Sequence, residues 1–323
     1  MDKKPADQIT ETEILRLIGR MKASAANALK ADDIGYFTGA KKTYAATDSL
    51  IAGVHFRHDW LTPAEIAYKL FARNWSDFLC KGIRPHAALL SLALTRQTAR
   101  QSFVIPFLRA LDRLFTANGI TLTGGDTAHS ANDVFTLAFF GTRGKLVPRA
   151  TRTVRRGDLV VQLGGVGGSN FALNRLLKAG ELTPREKACF SRPQIFPHLP
   201  QAKFLKATID QSDSVQKSLR LLANANQVKL RIDIDSILPS HKRVLSGLST
   251  GAKILLAAED LAIFAIASSA ILKETGPAAQ AKGSHTFRAV GIVESIQTRS
   301  PRVDYHLNGR PIKAPVHDFE HFN

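Results

Sequence analysis

The stretch Thr47-Asp-Ser-Leu-Ile-Ala-Gly-Val-His-Phe56 constrains this chain more than any other. Just upstream, Thr43-Tyr-Ala-Ala46 is a run of strand formers bounded by Lys41 and Lys42, which predicts a short strand. That strand would carry Asp48 to its end, and Gly53 would let the backbone turn before His55. A Thr-Asp pair at a strand end is also a common turn or cap feature, so the stretch alone selects no function. Its meaning depends on the acids placed along the rest of the chain.

Those acids sit at regular punctuation points. Thr62-Pro63-Ala64-Glu65 has the capping-box spacing with proline in the first turn, and predicts the start of a helix. The helix would run to about Cys80, carry Asn74 and Asp77, and stop at Gly82. His86 to Leu94 predicts a buried strand, Ser102 to Ala117 a helix and Val134 to Thr142 a further strand. Between the last two, a strand should end in Gly124-Gly-Asp-Thr127, where paired glycines permit close approach of a ligand to the backbone beside Asp126. The polar, basic stretch Val147 to Gly157 has no period and marks the expected boundary between a first domain, 1–150, and a second, 151–323.

In the second half, a strand from Asp158 to Leu163 precedes Gly164-Gly-Val-Gly-Gly-Ser169 and a helix to Lys178. That order suits a phosphate cradle and a plain tight turn equally. It has neither the Lys-Ser/Thr of a nucleotide P-loop nor the third glycine of a dinucleotide fingerprint. Ile209-Asp210-Gln-Ser212-Asp213 leads into a helix reaching about Asn226, followed by a strand from Val228 to Ile234. Glu259-Asp260 interrupts the apolar run Ile254 to Leu272, where unpaired charges would be costly and a partner is required. Near the start, Glu11 to Lys30 has helical apolar spacing and leads to the adjacent acids Asp32 and Asp33.

Charge narrows the classes of partner. The 44 Lys and Arg against 27 Asp and Glu leave a formal +17, which suits nucleic acid, anionic lipid or small phosphates. Apart from a concentration between Arg143 and Arg156, the basic residues are dispersed. No zinc finger, aromatic RNA-reading motif or heptad-linked basic region accompanies them, so nucleic acid is not the expected partner. Cys80 and Cys189 are too few for a disulfide framework, and the N-terminus lacks the apolar core of a signal peptide. A cytoplasmic protein without a membrane span is expected. Acids without Cys or His clusters favour Mg²⁺ over zinc, and Mg²⁺ held by a few carboxylates implies a phosphate substrate.

Seven motifs occur in order: Ala31-Asp-Asp33, the Thr47 to Phe56 stretch, Asn74-Trp-Ser-Asp-Phe-Leu-Cys-Lys-Gly-Ile-Arg-Pro85, Gly124-Gly-Asp-Thr127, Asp210-Gln-Ser-Asp-Ser214, Ala257-Ala-Glu-Asp-Leu261 and Phe319-Glu-His-Phe322. Together they resemble the thiamine-monophosphate kinases of the aminoimidazole-ribonucleotide-synthetase-like superfamily, over nearly the whole chain. The resemblance implies an α+β fold of two mixed-sheet α/β domains. It implies phosphorylation of thiamine monophosphate by ATP with several Mg²⁺ ions, in a homodimer joined through the N-terminal domains. It further implies Asp33, Asp48, Asp77, Asp126, Asp210 and Asp213 as metal ligands, assisted by Thr47. Gly125, Asp126, Arg152 and Ser212 would face ATP, and His55, Glu259 and Phe319 the thiamine moiety. No general base is implied, because the acceptor is already a phosphate and needs charge cancellation and in-line placement.

Four departures from the family pattern stand out. Ser214 replaces a glycine and would be strained at positive φ. Ala257 and Ala258 replace two glycines, Leu261 replaces a tyrosine, and Arg152 is one position out of place. All the expected metal acids remain, which favours a working, divergent kinase. The alternatives are an ATP-binding relative with another substrate or no activity, and a basic nucleic-acid-binding protein.

Overall fold

The computed structural model describes residues 35–38, 42–178, 180–240, 252–275 and 286–315. Asp33, Phe319 and the helix expected from Glu11 to Lys30 lie outside them. The first sheet has the strand order β1-β2-β5-β3-β4. Its strands are β1 (Gly35–Thr38), β2 (Lys42–Ile51), β3 (Ile83–Leu94), β4 (Thr121–His129) and β5 (Val134–Gly144). Only the β3–β4 pair is parallel. Helices α1 (Pro63–Cys80) and α2 (Gln101–Asn118) pack against this sheet and against each other.

The second sheet has the order β12-β11-β8-β10-β6-β9-β7. Its strands are β6 (Leu159–Leu163), β7 (Leu205–Asp210), β8 (Lys229–Asp233), β9 (Ile263–Ala267), β10 (Arg288–Ser295), β11 (Arg302–Leu307) and β12 (Arg310–Ile312). Helices α3 (Gly168–Leu177), α4 (Pro184–Ser191) and α5 (Val215–Asn226) accompany it, with short turns of helix α6 (Ala252–Leu255) and α7 (Ile271–Thr275). The architecture is α+β with two mixed sheets. Among the described residues no helix is long and apolar enough to cross a membrane.

Helix α1 is the hinge of the packing. Thr62 accepts from the Glu65 amide, and the Glu65 carboxylate accepts from the Thr62 amide at 2.9 Å, as the capping-box spacing predicts. Gly82 ends the helix at φ +69, and a Cβ there would lie 2.8 Å from the Lys145 carbonyl oxygen. Leu70, Phe71 and Phe78 are fully buried, each worth about 1.5–3 kcal/mol of apolar transfer. One side of α1 meets β2, β3 and β5, while the other meets β7 and α4. One hydrophobic cluster therefore runs from Phe139 and Phe71 through to Leu163, Ile263 and Phe190. A second cluster lies between the other face of the second sheet and α5, around Leu219, Leu230 and Phe264.

Two strands differ from expectation, both near site residues. The strand foreseen at 43–46 continues to Ile51, because Thr47 to Ile51 pairs residue for residue with β5 as far as Val134. Asp48 is thus mid-strand rather than at a strand end. Likewise β4 does not end at the glycines but passes through Gly124 to Thr127, paired in parallel with β3. A Cβ on Gly125 would lie 1.7 Å from the Leu90 carbonyl oxygen. The close approach that Gly125 permits is to the neighbouring strand.

Candidate active site

Four polar residues of α1 (Lys69, Arg73, Ser76 and Asp77) fall at i, i+4, i+7 and i+8, a single stripe of the helix. The Lys69 ammonium lies 2.8 Å from Glu259 Oε2 and donates to the His55 carbonyl oxygen at 3.1 Å. Arg73 Nη1 donates to Glu259 Oε1 at 2.7 Å, and its Nη2 lies 3.5 Å from Asp48 Oδ1. Ser76 donates to Asp210 Oδ2 at 2.5 Å. Between these, buried Asn74 accepts from the Asp48 amide at 3.1 Å and donates to the Leu70 carbonyl. The helix stripe thereby ties β2 of the first sheet to β7 and the 257–261 turn of the second half.

That turn is held under backbone strain. Glu259 and Leu261 have φ of +59 and +57, a left-handed conformation costing roughly 1–2 kcal/mol per residue. The Glu259 amide donates to the Ser212 carbonyl at 3.2 Å and the Leu261 amide to that of Gln211 at 3.3 Å. The Gln211 side chain donates to the Ala257 and Asp213 carbonyls and accepts from the Asp260 amide. Ser214, by contrast, carries no strain. It has φ −63, caps α5 and accepts from the Lys217 amide at 3.1 Å, so the serine performs a cap there that glycine lacks.

Neighbouring Glu259 and Asp260 titrate in opposite directions. Burial works against the Glu259 carboxylate, but Lys69 and Arg73 prevail and bring it down to about 2. Burial likewise opposes the Arg73 charge, and Asp48, Glu259, Asp77 and Asp210 together raise its pKa. Among the described residues no cation pairs with Asp260, and burial pushes it up to about 7 although the Gly167 and Ser169 amides donate to it at 2.6 and 2.9 Å. Its carboxylate fills the N-terminus of α3, so Asp260 itself takes the Gly167 and Ser169 donors of the Gly164 to Ser169 loop. Gly165 and Gly168 are packing glycines, since a Cβ on Gly165 would lie 2.6 Å from Ser240 and one on Gly168 2.9 Å from Cys189, whereas Gly164 and Gly167 are turn glycines at φ +86 and +87.

The expected site residues separate into groups. Glu259 and Asp48 contact Arg73, Asp77 and Asp210 also act on its charge, and His55 stands beside Lys69, its Nδ1 accepting from the Ile51 amide at 3.1 Å. Ser212 and Asp213 follow β7, with Asp213 3.1 Å from Lys217. Thr47 points to the other face of β2 and donates to the Leu137 carbonyl. Gly125 and Asp126 lie on β4, three strands from β2, roughly 14 Å at about 4.8 Å per spacing. Asp126 registers with Ser91, whereas Asp48 shares a row with buried Leu137 and Leu90, so the two acids project from opposite faces. Arg152 is exposed, next to Thr151, whose amide is bound by Asn226 at the far end of α5. At about 1.5 Å per residue the 12 residues of α5 put it roughly 18 Å from Ser214.

Comparison with known proteins places this arrangement. Residues 31–142 match the family model described as AIR synthase related protein, N-terminal domain. The chain is 27% identical over 328 residues to the thiamine-monophosphate kinase of Leptospira interrogans, covering 97% of this chain and 98% of that relative. It is 31% identical over 211 residues to that of Escherichia coli K12, covering 62% of each. The chain is thus similar to thiamine-monophosphate kinases over nearly its whole length. A solved structure of AaThiL complexed with AMPPCP and TMP shares its fold, with a TM-score of 0.79, 22% identity and 100% of both chains covered.

At this site the residues missed from sequence are Lys69, Arg73 and Ser76. The signal was present as a cation pair four residues apart on a helix stripe flanked by Ile66, Leu70 and Phe71. Among the described residues no three His, Cys, Asp or Glu side chains converge closely enough to hold a metal by themselves. Asp48, Asp77 and Asp210 nonetheless offer hard oxygen donors. They fit Mg²⁺, which binds through one or two carboxylates and completes its shell with water and phosphate oxygens.

Proposed function

We propose that this chain transfers a phosphoryl group from ATP to thiamine monophosphate, with Mg²⁺, giving thiamine diphosphate. The observation that carries the proposal is that Asp48, Asp77 and Asp210 all act on the Arg73 charge where α1 crosses from one sheet to the other, with Ser76 of the same helix donating to Asp210. Similarity over nearly the full length of a thiamine-monophosphate kinase supports it. Asp48, Asp77 and Asp210 would hold Mg²⁺, with Asp213 and Asp33 as further ligands; bound there, the ion neutralises phosphate charge. Asn74 fixes the backbone of Asp48, and Ser76 orients Asp210, so the acids are pre-set before substrate arrives. Lys69 and Arg73 immobilise Glu259 on the side of the cleft that His55 borders. No described residue need act as base, since the acceptor oxygen is already anionic.

We further propose that the working unit is a homodimer formed through the first sheets. All of β4, an edge strand, is exposed, and Leu89 and Leu122 are 41% and 46% exposed. A long uncovered edge strand invites pairing with another chain. A second copy laid there would cover Gly125 and Asp126, which a single chain leaves away from the other acids. The Cys80 and Cys189 thiols, neither of them in a disulfide, suit a reducing cytoplasm.

Incubation with Mg²⁺-ATP and thiamine monophosphate, followed by chromatographic product analysis, should yield thiamine diphosphate and ADP in equal amounts. ATP binding with no thiamine diphosphate formed would sink the proposal. It would favour the reading with a different acceptor, to which the engagement of both Glu259 oxygens by Lys69 and Arg73 already lends an observation.

A further inference from the structure

Arg73 is placed for charge more than for hydrogen bonding. A guanidinium offers five donors in a planar fork. Here Nη1 makes one short contact to Glu259, Nη2 reaches Asp48 only at 3.5 Å, and Nε is buried with no hydrogen-bond partner. Yet Glu259 and Asp48 flank the group at 2.7 and 3.5 Å, and Asp77 and Asp210 act on its charge as well. Four carboxylates brought together repel one another unless cations intervene. Lys69, itself buried, supplies the second cation through Glu259. Four negative against two positive charges leave a deficit equal to the charge of one divalent ion.

We propose that the Arg73 guanidinium is a resident cation of the acid cluster, taking the place of one divalent ion between Asp48, Asp77, Asp210 and Glu259. This rests on the assignment of the cluster as a cation site, and is independent of which phosphate is the acceptor. With Arg73 in place, the cluster holds one fewer divalent ion than its carboxylates would otherwise draw. Arg73 is a positioning residue in this arrangement, because its charge also spaces the acids before nucleotide binds. A Lys at the same point would supply the charge without the breadth to reach both Asp48 and Glu259.

The test is Mn²⁺ titration of the full-length protein without nucleotide, followed by electron paramagnetic resonance and by thermal unfolding. Arg73→Gln should bind Mn²⁺ at least tenfold more tightly than the parent, or take up one more ion per chain. Added Mn²⁺ should also raise its Tm by several degrees more than the parent's. Equal Mn²⁺ affinity and stoichiometry in parent and variant would overturn the proposal, as would weaker binding in the variant. If Arg73→Gln does not fold, Arg73→Lys, which keeps the charge, should fold with parent-like Mn²⁺ binding. Failure of Arg73→Lys to fold would mean that Arg73 acts by shape, and the proposal falls. A parent and variant that both bind no Mn²⁺, even with ATP present, would remove the metal-site assignment and the resident cation with it.

Discussion

The α1 stripe and the β4 edge carry residues of one expected site, yet they are built on opposite terms. Around α1 the expected acids are held by its side chains: Glu259 by Lys69 and Arg73, Asp210 by Ser76, and the Asp48 backbone by Asn74. On β4, all nine residues of the strand are exposed, Asp126 among them. The first region is stabilised within one chain, so substitutions there act on folding as well as on chemistry. The second contributes little to the stability of one chain, so Asp126 can be changed without disturbing the core. The contrast predicts which variants lose structure and which lose only turnover.

The largest effect is expected at Lys69. Lys69→Met keeps the buried volume but removes one of the two cations on Glu259, and should cost about 3 kcal/mol in urea unfolding at pH 7. The acid limb of stability should change with it. Glu259 is depressed to about 2 when folded, so its contribution is present above its unfolded pKa near 4.5 and is lost as pH falls between them. Lys69→Met should flatten that limb. A variant with parent stability and an unchanged acid limb would show that the buried pair is not what joins the two halves.

Next in size is Asp126→Asn. It should lower kcat/KM about a hundredfold, roughly 2.7 kcal/mol of transition-state stabilisation, while moving Tm by less than a degree. Sedimentation should find the variant still dimeric. Turnover within a few-fold of the parent would detach β4 from the site. Asp260→Asn should produce a smaller shift of opposite sign to the Glu259 effect. Asp260 is raised to about 7 when folded, so the folded state holds its proton longer than the unfolded chain. Parent stability should therefore fall as pH rises from about 4 through 7, and the variant should lack that decline. A parent whose pH 5 to 8 stability matches the variant's would refute the burial of an uncompensated Asp260.

The smallest effect is expected at Ser214. Ser214→Gly restores the residue that the family pattern favours, yet Ser214 has a negative φ and caps α5. The change should cost only a few tenths of a kcal/mol and leave turnover unaltered. A large gain in activity would mean that Ser214 holds the Asp210 to Asp213 loop out of its working position.

The local elements were legible from sequence wherever the signal was itself local. The Thr62 and Glu65 pair announced the start of α1, Gly82 its end, and alternation of apolar residues gave β3 and β5, because caps and periods act over a few residues. The order of the acids along the chain was equally plain. What the tertiary structure alone decided were pairings across long separations. Arg73 meets Glu259 across a sequence separation of 186, and Asp260 closes the glycine loop at Gly167 across one of 93. The length of β2 followed from its partner β5, which moved Asp48 from a strand end to a strand interior. The face of Asp126 followed from register with Ser91. Local propensity places an acid on a helix or strand, but which cation meets it depends on chain segments that only folding brings into reach.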